Sequence, residues 1–360
     1  MYRSNDPAPA RRVGFARLRA VKFRKLASAL LAPAVAAAVG ACTSQGSAGT
    51  TGSQGPVTMS IGIAAPTSAP VYIADALGYF RQQGLNVSVR IIPNAYLSLA
   101  AGQIQYGLVG VSQLVQAAAH GTGLQQICVA QMAPSYVLAV SQKTLTAKGI
   151  TPSMSLKETL TRLKGEQVTE VGGAVNPGSV LLASLLKRSG LPADWIKVVS
   201  ETSSASATAS FAQGQVGVVF QPQPVPDQVL SRVPGRIIFN TGTSPLFASL
   251  AQVPWSGIVA SKSYIAAHPG TSKKICAAIG QANDYVTSHP AQAAKVLQPQ
   301  MPAFALKYLQ AGLATYKWAP GGKMTAAQFQ AGVKAIASYG MFADPSADVL
   351  RAAYTTAYQP

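Results

Sequence analysis

The side chains best placed to do chemistry in this 360-residue chain are neutral hydrogen-bonding groups. Thr67 and Ser68 sit in the loop Pro66-Thr67-Ser68-Ala69-Pro70, between a β-rich run and a helical one. Ser112 and Gln113 open a second such helix, and Gly172-Gly173-Ala174-Val175-Asn176-Pro177-Gly178-Ser179 follows a strand and opens a third. Backbone N–H groups at a helix start, backed by a hydroxyl such as Ser179, suit an anionic or hydrogen-bond-accepting group. Taken alone, the same Gly and Pro residues serve simple turns, and Thr67 and Ser68 simple caps. No acid stands among these residues, so a cationic amine would be buried there without a counter-charge, whereas a neutral or anionic ligand avoids that cost. Tyr136 and Trp255 could close an aromatic face over the apolar part of such a ligand.

Other chemistry finds little support. Between Asp6 and Glu158 the only acid is Asp75, read as lying early in a helix where it complements the dipole, so the first half supplies no carboxylate pair. Gly110-Val111-Ser112-Gln113-Leu114 stops short of a nucleophile elbow, and no Gly-rich dinucleotide or phosphate loop occurs. His120, His268 and His289 each precede a Gly or Pro where a helical pattern stops, which favours contact with a helix C-terminus over metal ligation. Cys128 and Cys276 leave a disulfide and two buried thiols equally open. No cofactor or metal is expected.

These loops need a scaffold, and the hydrophobic pattern supplies one. Strands are expected over Val57 to Ala65, Val87 to Ile92, Tyr106 to Val109 and Gln126 to Gln131, with helices over Val71 to Gln83 and Ser112 to His120. Such alternation builds a mainly parallel sheet flanked by helices, with ligands at the carboxyl ends of the strands. The order helix, Gly84-Leu85, strand, then Gly102-Gln103, strand returns as Gly190-Leu191, strand, then Gly214-Gln215, strand. Two α/β lobes are therefore expected, one inserted into the other, with Tyr136 to Ser141 and Ser256 to Ser261 crossing between them. Residues 57–137 and 255–360 form the first lobe in this reading and 138–254 the second, with a helical tail from Pro269 onward.

Charge is sparse, at 11% of residues, but unbalanced, with 29 Lys and Arg against 11 Asp and Glu. Eight of the basic residues precede Cys42, and the remainder are scattered, which does not make a nucleic-acid stripe. Residues 1–41 read as an export signal: a basic region up to Lys25, then the apolar run Leu26 to Ala41, too short to span a bilayer. The run ends in Val39-Gly40-Ala41-Cys42, which resembles a lipobox with a lipid on Cys42, and residues 42–56 form a flexible polar tether.

Ile61-Gly62-Ile63, Ala69-Pro70-Val71-Tyr72-Ile73-Ala74, Gly78-Tyr79-Phe80, Gly84-Leu85-Asn86-Val87, Ala101-Gly102-Gln103 and Val109-Gly110 stand in an order that resembles the nitrate, sulfonate and thiamine-precursor type of ABC-transporter solute-binding protein. Leu163-Lys164-Gly165, Gly178-Ser179 and Gly190-Leu191 carry the likeness into the second half. The resemblance implies a two-lobed periplasmic-binding-protein fold of type II. It also implies a small-molecule ligand between the lobes, ABC permease and ATPase subunits as partners, and a monomer outside the cytoplasm. The family's usual acids are replaced by Gln105, Gly217 and Gln221-Pro222, and an amide at Gln221 favours a neutral or anionic ligand. The rival on the same fold is an enzyme of thiamine-pyrimidine synthesis, whose Cys-rich motif this chain lacks.

Overall fold

The βα alternation folds as β1 (Val57–Ile61), β2 (Val87–Ile91) and β3 (Tyr106–Gly110), with β1 parallel to both neighbours. These positions come from a computed structural model, which describes residues 56–171, 177–201 and 203–360. β4 (Leu124–Met132) completes the first run of strands. A second set follows as β5 (Tyr136–Ser141), β6 (Gln167–Val171), β7 (Lys197–Glu201), β8 (Val218–Pro222) and β9 (Gly235–Asn240). β10 (Pro254–Ser261) and the short β11 (Lys317–Trp318) then return to the first sheet.

The two sheets repeat one plan. Strand order is β2-β1-β3-β10-β4-β11 in the first and β7-β6-β8-β5-β9 in the second. In each, the second strand in this order is parallel to both its neighbours, and the next two pairings are antiparallel. The echo seen in the sequence is thus a structural repeat. Gly84, Gly102, Gly190 and Gly214 all hold φ between 69° and 77°, the left-handed turn that releases each helix toward its strand.

Three expectations are corrected. The sheets are mixed, because the strands entering from the other unit run back against β3 and β8. Tyr136–Ser141 and Pro254–Ser261 are strands within the sheets, and the crossings themselves are residues 133–135 and 241–253. The helix expected over Val71 to Gln83 is broken into Ala69–Ala76 and Tyr79–Gln82 by Gly78 at φ 75°. Asp75 therefore lies at the end of a helix rather than near its start, where the dipole does not favour it. Burial raises its pKa and Arg81 opposes the shift.

The crossings are closely hydrogen-bonded. Tyr136 N donates to Thr241 Oγ1 and Thr241 N to Tyr136 O, both at 2.9 Å. Gln223 N donates to Ser135 O at 2.9 Å, and Ala133 N to Val253 O at 3.1 Å.

The helical tail is anchored on the first sheet. Helix Pro269–Ser288 is joined to β4 by a Cys128–Cys276 disulfide. Its fully buried Asn283 donates from Nδ2 to the carbonyls of Val129, Ala130 and Ala319 at 2.8–3.2 Å. The tail also touches the second unit. Tyr316 donates to Gln223 O at 2.5 Å, Gln228 Nε2 to Ala303 O at 2.8 Å, and the Arg188 guanidinium lies 4.0 Å from the Tyr339 ring centre. The expected export signal, tether and Cys42 lie outside the described residues, among which no helix is long and apolar enough to cross a membrane.

The disulfide spans 148 residues, and closing so long a loop removes much of the unfolded chain's freedom. Replacing Cys128 and Cys276 together by Ser is expected to lower unfolding free energy by about 2–5 kcal/mol. Urea titration of both proteins checks this, and equal midpoints would contradict it.

Candidate functional site

The carboxyl ends of β1 and β3 lead into the loop residues expected to face a ligand. Ile61 is followed by a short 3-10 turn, Pro66–Ser68, and then by helix Ala69–Ala76. Thr67 is half-buried there. Ser68 is buried, and its hydroxyl donates to Ile63 O at 2.9 Å, so it fastens its own loop rather than capping the helix. β3 runs directly into helix Val111–Ala119 through Gly110, which offers no capping side chain. Ser112 and Gln113 occupy the first turn, half-buried and exposed respectively, with no acid beside them. The N–H groups of that turn are left to water or a ligand. A Cβ placed on Gly110 would lie 4.0 Å from both Gln113 Oε1 and Trp255 O, so Gln113 and the start of β10 meet around this glycine. Trp255 itself is half-buried and packs on the core.

The second unit repeats this layout with different contents. Helix Pro177–Arg188 begins after β6, and Asn176 lies outside the described residues. Gly178 and Ser179 bring the helix start down onto Tyr136 and onto a residue absent from the sequence-based set, Glu170 of β6. Glu170 is 1% exposed, and Ser179 Oγ donates to its Oε2 at 3.3 Å. A Cβ on Gly178 would overlap Glu170 Oε1 and lie 2.6 Å from Tyr136 Cε1, so only glycine admits this approach. Gly178 also gives a backbone hydrogen bond to the Tyr136 hydroxyl. Burial pushes the Glu170 carboxyl up to about 8, with Ser179 opposing, so it is mostly protonated at neutral pH. Burial likewise raises Tyr136, and the neighbouring Glu170 adds to the effect.

The structure therefore joins Tyr136 and Ser179 through Glu170, and brings Gln113 beside the Trp255 backbone. It gives Gln221 a different occupation. Its buried amide donates to Thr169 O at 3.3 Å, inside the second sheet. Gln105 is similar, accepting from Thr58 N at 2.8 Å at the edge of β1. The expectation that no acid accompanies the candidate residues is overturned by Glu170, and with it the argument that a cation would find no counter-charge. Strand periodicity was the available signal, since Glu170 shares a face with the buried Val168. A cavity of about 300 Å³ opens at the crossings, lined among others by Ser135, Thr241, Thr243, Phe247, Thr315 and Lys317. None of the eight expected ligand residues that are described lines it.

A carboxyl that is neutral when folded and ionises near about 4.3 when unfolded gives a definite pH dependence. Its stabilising effect is complete below the unfolded value and is lost as pH rises from there through about 8. The unfolding free energy is expected to fall by about 1.4 kcal/mol per pH unit across much of that window, and Glu170→Gln to flatten the slope. Denaturant titrations of both proteins from pH 5 to 9 measure it, and parallel profiles would contradict it.

The match to known proteins agrees with this architecture. The family model described as NMT1/THI5 like matches residues 65–293. Curated relatives described only as binding proteins, in Brucella abortus and Brucella suis, are 23% identical over 227 residues, covering 62% of this chain. The chain spans 65% of the length of those relatives. Among solved structures, a protein of Bordetella bronchiseptica superposes with a TM-score of 0.67 at 20% identity, covering 85% of this chain and 96% of that one. The periplasmic aliphatic sulphonate binding protein of Escherichia coli gives 0.60 at 19% identity, covering 80% and 87%. The periplasmic nitrate-binding protein of Synechocystis gives 0.60 at 12% identity, covering 84% and 86%. With two repeated α/β units and a family match over well more than half its length, the chain belongs to the NMT1/THI5-like family and has the fold of periplasmic solute-binding proteins.

Proposed function

We propose that this protein is the extracytoplasmic, membrane-anchored substrate-binding lipoprotein of an ABC importer. It captures one small molecule between its lobes, residues 57–137 with 255–360 and residues 138–254, and presents it to a permease. The observation that carries the reading is that strand-end loops of both sheets, after β1 and β3 in the first and after β6 in the second, bring hydrogen-bonding residues to helix starts on a fold shared with sulphonate- and nitrate-binding proteins. Thr67, Ser112 and Gln113 act from one side, and Tyr136, Asn176 and Ser179 from the other. Trp255 supplies an aromatic surface, while Ser68 and Gln221 brace the loops and strands behind. The ligand is a small organic anion of sulfonate or carboxylate type, or a neutral polar heteroaromatic. Both present hydrogen-bond acceptors, which match first-turn N–H groups, hydroxyls and a protonated Glu170.

Native mass spectrometry of protein purified from its host is expected to show one retained small molecule, and small-angle scattering a smaller radius with it bound. Gln113→Ala should weaken its binding by about 1 kcal/mol, a single hydrogen bond, without changing thermal stability, because Gln113 is exposed. Equal calorimetric affinities would remove Gln113 from the site. Cys42→Ala should move the protein from the membrane fraction to the soluble one. Wild type that is already wholly soluble would rule out the lipid anchor.

A further inference from the structure

The cavity of about 300 Å³ at the crossings is walled by three separate stretches of chain. Residues 133–135 supply one side, residues 241–251 a second, and Thr315 and Lys317 of the tail a third. Its volume lies at the small end of the range for sites that enclose small molecules. Phe247 and Leu250, each 1% exposed, give it an apolar wall. The Phe247 ring is fixed between Phe239 and Tyr339, whose ring centres lie 5.4 and 5.0 Å away. Tyr339 in turn donates to Leu246 O at 2.9 Å. This wall is built by the fold itself, so an occupant does not have to order it.

The backbone beside it is held in an unusual state. Ala133 lines the cavity with φ at 72°, a left-handed conformation that a residue with a Cβ seldom adopts. Two bonds keep it there: its N–H donates to Val253 O at 3.1 Å, and its carbonyl accepts from Gln131 Nε2 at 2.9 Å. Strained residues fixed in this way gather at ligand sites and hinges.

The polar lining has one character throughout. Ser135 and Thr241 are each more than nine-tenths buried, and the Thr241 hydroxyl is committed to backbone carbonyls. Thr315 Oγ1 donates to Gly312 O at 2.7 Å, so in its 3.4 Å contact with Ser135 the Ser135 hydroxyl is the donor. That contact is long and weak, and a closer acceptor readily replaces it. Lys317 is the one charged residue of the lining and has no ion pair among the described residues. No acid lines the cavity. An anionic group therefore meets a cation and a hydroxyl donor here, whereas a cationic one meets the Lys317 charge unopposed.

We propose that this cavity is a second small-molecule site, separate from the one between the lobes, and that it takes a small anion with a compact apolar body. Ser135 and Lys317 recognise the anionic group, and Phe247 and Leu250 receive the body. The site stands independently of the ligand reading above, because none of the described residues assigned to that ligand lines it.

The test titrates benzoate, with benzylamine as a cationic counterpart of similar size, into the whole protein carrying carbon-13 at its alanine methyl groups. Benzoate is expected to saturate on the order of millimolar, as suits so small a ligand, and to shift the methyl signals of Ala133, Ala248 and Ala251. Benzylamine is expected to leave them in place. Lys317→Ala should weaken benzoate by about tenfold, the size of one charge-assisted hydrogen bond. Ala248→Trp, which fills the cavity from its rim, should abolish binding. Lys317 and Ala248 are both exposed, so both variants are expected to fold, and thermal unfolding checks this. Absence of saturable shifts at those three methyls, an equal response to benzylamine, or full binding in Ala248→Trp would each overturn the proposal. Benzoate binding that is lost in Gln113→Ala but kept in Ala248→Trp lies between the lobes, which overturns this site and supports the other.

Discussion

A chain that passes twice between two sheets must pair its backbone polar groups at the passage, where neither sheet's ladder can do so. Thr241 meets much of this requirement. Its N–H and hydroxyl bracket the backbone of Tyr136, and the hydroxyl also reaches Pro134 O at 3.3 Å. Gln223 and Val253 supply further partners for residues 133–135. This bonding fixes where β5 and β10 begin. Tyr136 thereby stands opposite Pro222 at the end of β8, and Ser256 opposite Gly110 at the end of β3. The aromatic residues of the candidate site thus owe their positions to the crossing rather than to their own loops.

The repeat of one strand plan in both sheets has an energetic counterpart in where each unit finds its support. The first sheet is braced from behind by a covalent link and by Asn283, whose single amide group serves three carbonyls. The second has no disulfide among its described residues and is met by the tail at Gln223, Gln228 and Arg188. The tail thus holds one unit covalently and meets the other through side-chain hydrogen bonds and a cation–π contact. Closure about the crossings would have to remake those contacts, which are individually weak.

Charge follows a separate logic. The basic excess is dispersed, and one ion pair, Lys148 with Glu166 at 2.9 Å, is partly exposed and worth at most about 1 kcal/mol. The consequential charge is the one that is suppressed. Glu170 is enclosed by the same glycine that lets the helix start descend on Tyr136, so the packing around Gly178 also governs ionisation there.

Much of the fold was legible from residue pattern, because hydrophobic period and helix-ending glycines are local properties. β2 and β3 lie within a residue of expectation, the tail from Pro269 is largely helical as expected, and the repeated Gly84, Gly102, Gly190 and Gly214 announced two similar units. The site was legible as a set of loops, but not as a set of contacts. Ser68 and Gln221 are drawn inward by carbonyls of neighbouring backbone, and Ser179 is drawn to an acid nine residues earlier, none of which spacing reveals. Strand direction in the crossing pairs and the choice of a disulfide over free thiols were likewise settled only by tertiary structure. Each depends on which distant segment arrives alongside, whereas a local pattern records only which face of an element is apolar.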